Sequence, residues 1–224
     1  MSEILNTKYF GDANIVSYWR MEGNSNDSRG SNGGTDTAIT YNNNNGRFSQ
    51  GAGCNGTSSI IQKAVPVGLP VNADARTVVM WVNCNAGTAN YKMFFGYGEE
   101  ATTRARWTMG LTNGNPGNWS LFTQGDDYNS ATAIVLNTWN HYAVVYDGNV
   151  TATFYVNGKI DGTKTFASAL VTNITNGLSI GADQANNNFF PGNIDDVAIF
   201  SRALTTAEIQ EIYKEQLGDY AYFM

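Results

Sequence analysis

The sequence predicts an all-β domain, and three observations carry that prediction. Short runs rich in Val, Ile, Thr, Tyr, Phe and Trp recur at roughly 8–12-residue spacing, the rhythm of a β-sandwich or barrel. Between them fall Asn-Gly pairs at 32–33, 45–46, 55–56, 113–114, 157–158 and 176–177, a dipeptide that supplies the positive φ of tight turns. The 224 residues include 28 Asn and 24 Gly but only 14% charged residues, so amides replace Lys and Glu on the surface and poor helix formers dominate.

Residues 1–14 read as a polar leader without the basic start and apolar stretch of a secretory signal. Ile15–Met21 follows as a strand, then a loop of Asn, Ser, Asp and Gly over 23–34. Strand-like runs come next at Thr37–Thr40, Ser58–Gln62, Thr77–Asn83, Tyr91–Tyr97, Arg104–Leu111 and Trp119–Gln124. In the third of these, Val78, Met80 and Val82 alternate with Val79 and Trp81, as in a strand buried on both faces. The clearest hairpin joins His141–Tyr146 to Thr151–Val156 through Asp147-Gly148-Asn149. Gly177–Ile180 and Asn193–Phe200 complete the strands. One helix is predicted, with Thr205 or Thr206 as N-cap, Glu208 in the first turn, and Ile209, Ile212 and Tyr213 on one face. No change of composition divides the chain, so residues 15–216 form one domain and 217–224 a tail.

Composition removes several functions. The formal charge is −6 and no Lys/Arg cluster exists, which excludes a nucleic-acid backbone binder. No apolar run approaches the ~20 residues that insert across a bilayer. Cys54, Cys84 and His141 are scattered singly, so zinc chemistry is excluded. The two cysteines permit one disulfide or two buried thiols, with free thiols preferred. His141 has no nucleophile motif to serve as base for, and its reading is a structural one that orients the hairpin.

Three segments together resemble a known family. They are Tyr18-Trp-Arg-Met-Glu-Gly-Asn24 with Asp27-Ser-Arg-Gly30, then Trp139-Asn-His-Tyr-Ala-Val-Val-Tyr-Asp-Gly148 leading to Phe154-Tyr-Val-Asn-Gly158, and Pro191-Gly-Asn-Ile-Asp-Asp-Val-Ala-Ile-Phe200 followed by Ser201-Arg-Ala-Leu-Thr-Thr-Ala-Glu-Ile209. In this order they resemble the laminin-G-like, concanavalin A-like jelly-roll superfamily. The resemblance implies a two-sheet antiparallel β-sandwich with one short C-terminal helix and adjacent first and last strands.

The resemblance also implies a structural calcium ion where the N-terminal strand meets the penultimate strand, held by Asp195 and by carbonyls near Glu22 and Gly23, with Asp27 as a further candidate ligand. Calcium takes 6–8 oxygen ligands and accepts backbone carbonyls. Adjacent strand residues face opposite ways, so Asp195 and Asp196 are not expected to serve one site together. The alternative is a solvated acidic turn whose Asp side chains cap backbone amides.

Glycosidases of this superfamily place two carboxylates on one strand face. The seven Glu of this chain fall in the leader, the helix and the Glu22 loop, apart from the neighbours Glu99 and Glu100. The catalytic pattern is therefore absent, and a divergent glycoside hydrolase is the least favoured reading. Sugar recognition asks instead for aromatic rings flanked by amides, carboxylates or Arg. Trp107, Asp126, Asp127, Tyr128 and Asn187 are the candidates, with a core role the alternative for Trp107. In Arg104–Thr108, Arg104, Arg106 and Thr108 share one face and Trp107 takes the other. The expected function is a non-catalytic binding or adhesion module for a glycan or a protein surface, extracellular in setting. The alternative is a phage virion component, a capsid decoration or tail fibre, working through oligomer or virion assembly.

Overall fold

The computed structural model describes residues 9, 11–87, 90–114 and 117–218. Most of the predicted leader and the tail beyond residue 218 lie outside the described residues. The strands in chain order begin with β1 (Ile15–Trp19), β2 (Thr35–Thr37), β3 (Thr40–Asn42), β4 (Gly51–Asn55) and β5 (Ile60–Lys63). The long central strands are β6 (Arg76–Cys84), β7 (Lys92–Gly98), β8 (Arg106–Leu111), β9 (Asn118–Phe122) and β10 (Tyr128–Ala133). Then come β11 (Trp139–Tyr146), β12 (Thr151–Val156), β13 (Lys159–Thr165), β14 (Leu178–Ile180), β15 (Pro191–Phe200) and the helix α1 (Thr206–Gly218).

They form the predicted sandwich. An eight-stranded sheet runs β13-β12-β11-β6-β15-β4-β3, with β1 also on β15, and a seven-stranded sheet runs β10-β9-β8-β7-β14-β5-β2. The space between them is filled from both inner faces, by Val78, Met80, Val82 and Phe154 on one side and Phe95, Tyr97, Trp107, Met109, Trp119 and Leu121 on the other. A second apolar layer lies outside the eight-stranded sheet, where Val79, Ala143, Tyr155 and Ala198 pack beneath Ile209 and Ile212 of α1. β6 is thus covered on both faces, as its apolar run predicted. α1 starts with a reciprocal cap: the Glu208 amide donates to Thr205 Oγ1 at 3.2 Å and the Thr205 amide to Glu208 Oε2 at 2.7 Å.

The first and last strands pair antiparallel, Ile15 opposite Phe200 and Trp19 opposite Val197. β4 occupies the same edge of β15 further back, from Pro191 to Ile194. Strands β4, β10 and β13 were not legible. Gly-Ala-Gly-Cys lacks β-branched residues, and β13 is a polar edge strand. The predicted run Thr37–Thr40 is broken by Ala38 at φ 51°, which separates β2 from β3.

Register settles the cysteines. Cys54 and Cys84 both pair with Gly192, from opposite sides. They stand two strand spacings apart, roughly 9–10 Å, beyond the reach of a disulfide. Both are free and buried.

Candidate functional site

Asp126, Asp127 and Tyr128 close one edge of the sandwich. Asp126 accepts the Lys164 ammonium at 2.7 Å and the Ala167 amide at 2.8 Å. Burial raises its carboxyl, but these donors outweigh it and hold the group below the usual range. Asp127 accepts the Thr123 amide at 2.7 Å, and Tyr128 stacks on Phe154 with ring centroids 3.8 Å apart. Beside them the Trp119 indole donates to Asp161 at 3.0 Å, joining β9 to β13 and so one sheet to the other. Trp107 is corrected outright as a ligand platform. It is 0% exposed, and its ring faces the core between Arg76, 5.3 Å away, and Tyr146, 6.3 Å away.

The other side of β8 is different. Pairing aligns Gln62, Ser179, Gly96, Thr108 and Phe122 in one row across β5, β14, β7, β8 and β9, on the outer face of the seven-stranded sheet. A second row sets Gly98 opposite Arg106, and a third sets Gly110 between Met93 and Ser120. Gly96, Gly98 and Gly110 remove side chains from the middle of this face, and Thr108, Gln184, Met93 and the Ala105 carbonyl close over the furrow they leave. A β-carbon at Gly96 would stand 2.3 Å from Thr108 Oγ1 and 2.6 Å from Gln184 Nε2, so both groups reach into the space that Gly96 leaves.

Two unpartnered groups converge there. Arg106 is 7% exposed. Its Nε donates to Thr108 Oγ1 at 2.9 Å and its Nη1 pairs with Glu100 at 2.6 Å, while Nη2 has no partner. Both amide atoms of Gln184 are also without partners. An unsatisfied buried polar atom costs about 1–3 kcal/mol, so each of these atoms calls for a further partner such as a bound water. At one end of the row Phe122 meets Tyr91 edge-on, centroids 5.4 Å apart, and Tyr91 is 43% exposed. The aromatic pair matches a ligand with an apolar face, such as a sugar ring.

Gln184 sits on the 183–188 loop, which Asp183 pins by accepting the Ala185 amide at 3.1 Å and the Asn187 amide at 2.8 Å. The Asn188 carbonyl ties this loop to Met93 of β7 at 2.9 Å. Of the five sequence-predicted ligand residues, Trp107 shares β8 with these rows but faces the core, and Asn187 lies exposed on the 183–188 loop. Arg106 and Thr108 were legible as sharing a face. Tyr91, Phe122 and Gln184 were not read as binding residues; three glycines on one sheet face were the available signal.

The residues assigned to calcium separate in a similar way. β15 carries a bulge: Asp195 pairs with Trp81, yet Ala198 pairs with Val79, and Asp196 has φ 46°. Ile194 and Val197 both enter the core, so Asp195 and Asp196 turn together to the opposite side. The expected alternation fails at the bulge. Asp195, 1% exposed, accepts the amides of Arg47 at 2.8 Å, Phe48 at 3.2 Å and Asp196 at 2.9 Å. Burial, and then the Asp196 carboxylate, push its carboxyl well above the usual range. Glu22 accepts the Gln50 amide at 3.3 Å, so the 46–50 loop joins these two carboxylates from the two ends of the chain. Gly23, at φ 80°, closes a turn onto the Met21 carbonyl at 3.0 Å.

Asp27 does not join them. Its Oδ1 accepts the amides of Tyr18 at 3.0 Å, Arg29 at 3.0 Å and Gly30 at 2.9 Å, and its Oδ2 the amide of Asn32 at 2.9 Å. Burial raises its carboxyl, but the four amides prevail and hold it below the usual range. Among the described residues no three His, Cys, Asp or Glu side chains gather to hold a metal. The remaining ligands would be backbone carbonyls, which calcium accepts. A divalent cation relieves a buried carboxylate set beside a second one. By donor type Asp195, Glu22 and the Gly23 turn fit calcium, while Asp27 is engaged by the amides of its own loop. His141 is 0% exposed between Trp81 and Tyr213, with both ring nitrogens unpartnered.

The two packed antiparallel sheets are the sandwich of the concanavalin A-like lectin fold. The chain belongs to the concanavalin A-like lectin/glucanase superfamily, whose family model matches residues 55–210. It is similar to domain 4 of AbnA, a GH43 extracellular arabinanase from Geobacillus stearothermophilus, solved with arabinotriose. The two share 24% identity with a TM-score of 0.71, over 89% of this chain and 98% of that one. It is similar to the binding domain of botulinum neurotoxin serotype G, at 16% identity and a TM-score of 0.65 over 91% of this chain and 51% of that one. Likeness extends to Trypanosoma rangeli sialidase in complex with sialic acid, at 15% identity and a TM-score of 0.66 over 90% of this chain and 33% of that one. At such identities the likeness is one of fold. No curated protein matches the chain. Among the described residues no helix is long and apolar enough to cross a membrane.

Proposed function

We propose that this domain is a non-catalytic glycan-binding module of an extracellular setting, and that the furrowed outer face ending at Tyr91 is its recognition site. One observation carries the reading: Tyr91, 43% exposed, meets Phe122 edge-on at the end of the row through Gly96, on a family fold built for recognition. A sugar ring offers a C–H face to this aromatic pair. The likeness to an arabinanase domain solved with arabinotriose, matched over nearly its whole length, supports the same class of ligand. Hydrolysis needs two opposed carboxylates, whereas the central row of the furrow is Gln62, Ser179, Gly96, Thr108 and Phe122. A structural calcium ion belongs to this proposal, held by Asp195 and Glu22 with backbone carbonyls, where it would fasten the first strand to the last.

The test is a glycan array followed by calorimetry of the selected oligosaccharide. Gln184→Ala and Tyr91→Ala should each weaken binding about tenfold or more while melting as the wild type does. Binding unchanged by both substitutions would remove the furrow from the mechanism. Absence of binding to every glycan, with an oligomer in solution, would favour recognition of protein or assembly into a virion.

A further inference from the structure

We infer that spontaneous deamidation of this chain falls on Asn113 and Asn176, and that the fold protects the other four asparagines that precede a glycine. Asn-Gly favours this change because glycine has no β-carbon to obstruct attack by its backbone nitrogen. The glycine nitrogen gives its proton to hydroxide and bonds to the Asn Cγ. The Cγ–Nδ2 bond then breaks, and ammonia leaves with a proton taken from water. A further water opens the succinimide at either carbonyl, leaving aspartate or isoaspartate. The side chain must be free to swing towards the main chain.

Four of the six side chains are not free. Asn32 is 0% exposed; its Nδ2 donates to Ser17 Oγ at 2.8 Å and to the Val67 carbonyl at 2.9 Å, and its Oδ1 accepts the Val67 amide at 2.6 Å. Asn45 Nδ2 donates to the Thr40 carbonyl at 3.1 Å and to Thr40 Oγ1 at 3.0 Å. Asn55 Oδ1 accepts the amides of Thr57 at 2.9 Å, Ser58 at 2.9 Å and Ser59 at 3.2 Å. Asn157 Oδ1 accepts the His141 amide at 2.9 Å while its Nδ2 donates to Asn140 Oδ1 at 2.9 Å.

Asn113 and Asn176 are exposed, and neither side chain is hydrogen-bonded among the described residues. Asn176 lines an open cavity of about 280 Å³ with Gln62, Lys63, Ala64, Thr175 and Leu178, so water and hydroxide reach it. The attacking nitrogen is held by one turn hydrogen bond, from the Gly177 amide to the Ile174 carbonyl at 3.0 Å. That turn is exposed at Ile174, Thr175 and Asn176. A carboxylate formed at 176 arises beside Lys63, the charged residue of the cavity lining. Isoaspartate there also adds a methylene to the main chain just before β14, which is paired with β5 on one side and β7 on the other.

The experiment ages the full-length chain in mildly alkaline buffer, folded and in parallel unfolded in urea, and follows each Asn-Gly pair by peptide mapping with tandem mass spectrometry. In the folded chain Asn113 and Asn176 should each convert about tenfold faster or more than Asn32, Asn45, Asn55 and Asn157, where at least two hydrogen bonds must open first. In urea all six should convert within about threefold of one another, because the native hydrogen bonds are gone. Conversion of any of the four held residues as fast as Asn176 in the folded chain overturns the inference. Conversion of Asn113 or Asn176 no faster than the four overturns it too. The same order and spread of rates in urea would assign the pattern to flanking sequence and not to the fold, which also overturns it.

Discussion

Arg76 donates a 2.9 Å hydrogen bond to the Tyr97 hydroxyl across the interior, joining β6 of one sheet to β7 of the other. Arg76 is 0% exposed. Its other donors go to the Asp74 carbonyl at 3.0 Å and the Asn72 carbonyl at 2.6 Å, and the Trp107 and Tyr146 rings lie 5.3 and 5.5 Å from its guanidinium carbon. Tyr97 in turn donates a hydrogen bond to the Pro70 carbonyl at 2.9 Å. A buried cation is tolerated here because carbonyl dipoles and π faces surround it.

Arg76→Met should therefore destabilise the fold by about 3 kcal/mol, since it leaves several oxygens buried and unpaired. Tyr97→Phe should cost about 1–2 kcal/mol. Urea denaturation of both variants and the double variant checks this. The double variant should lose less than the sum, because the two residues share a bond.

At the sandwich edge, a β-carbon on Gly162 would stand 2.0 Å from the Tyr128 hydroxyl oxygen. Gly162→Ala should cost about 1–3 kcal/mol as an overpacking strain. The same change made in a Tyr128→Phe background should cost measurably less, because the nearest clashing atom is gone. Equal costs in the two backgrounds would show that the edge yields without strain.

Burial holds the His141 imidazole down to about 3, whereas in the unfolded chain it protonates near 6.5. The unfolded state thus binds the proton first as pH falls. This residue's contribution is intact above about 6.5, declines by at most ~1.4 kcal/mol per pH unit towards about 3, and is flat below. Denaturation midpoints of the wild type and His141→Phe between pH 7 and pH 4 should converge or cross for this reason. Parallel curves would show that His141 does not titrate on unfolding.

Calcium should raise the melting temperature of the wild type and chelator should lower it. Asp195→Asn should abolish that difference. Asp27→Asn should lower the melting temperature with and without calcium alike, because its four amide bonds serve the loop and not an ion.

Local chemistry was legible and distant partnership was not. Thr205 and Glu208 announce the helix cap because both halves lie within one turn. The alternation of β6 reported two covered faces without naming the covers. Trp107 could not be assigned to core or ligand, since an aromatic at an alternating position suits either until both sheets are in place. Gln184 reaches the Gly96 furrow from a loop 88 residues further along the chain, a distance local pattern does not cross. Asp126, Asp127 and Tyr128 looked like a binding cluster because the edge they close against, with Lys164 and Phe154, is formed by other strands. The Asp195 bulge escaped because one extra residue in a ladder leaves no compositional mark.

Ile15 stands directly opposite Phe200, about 5 Å away as antiparallel partners do. The first and last strands therefore lie side by side on the sheet under α1. The furrow occupies the outer side of the other sheet. Attached to a larger body at either end, or spliced into one of its surface loops, the domain would keep its back to that body and present the furrow away from it.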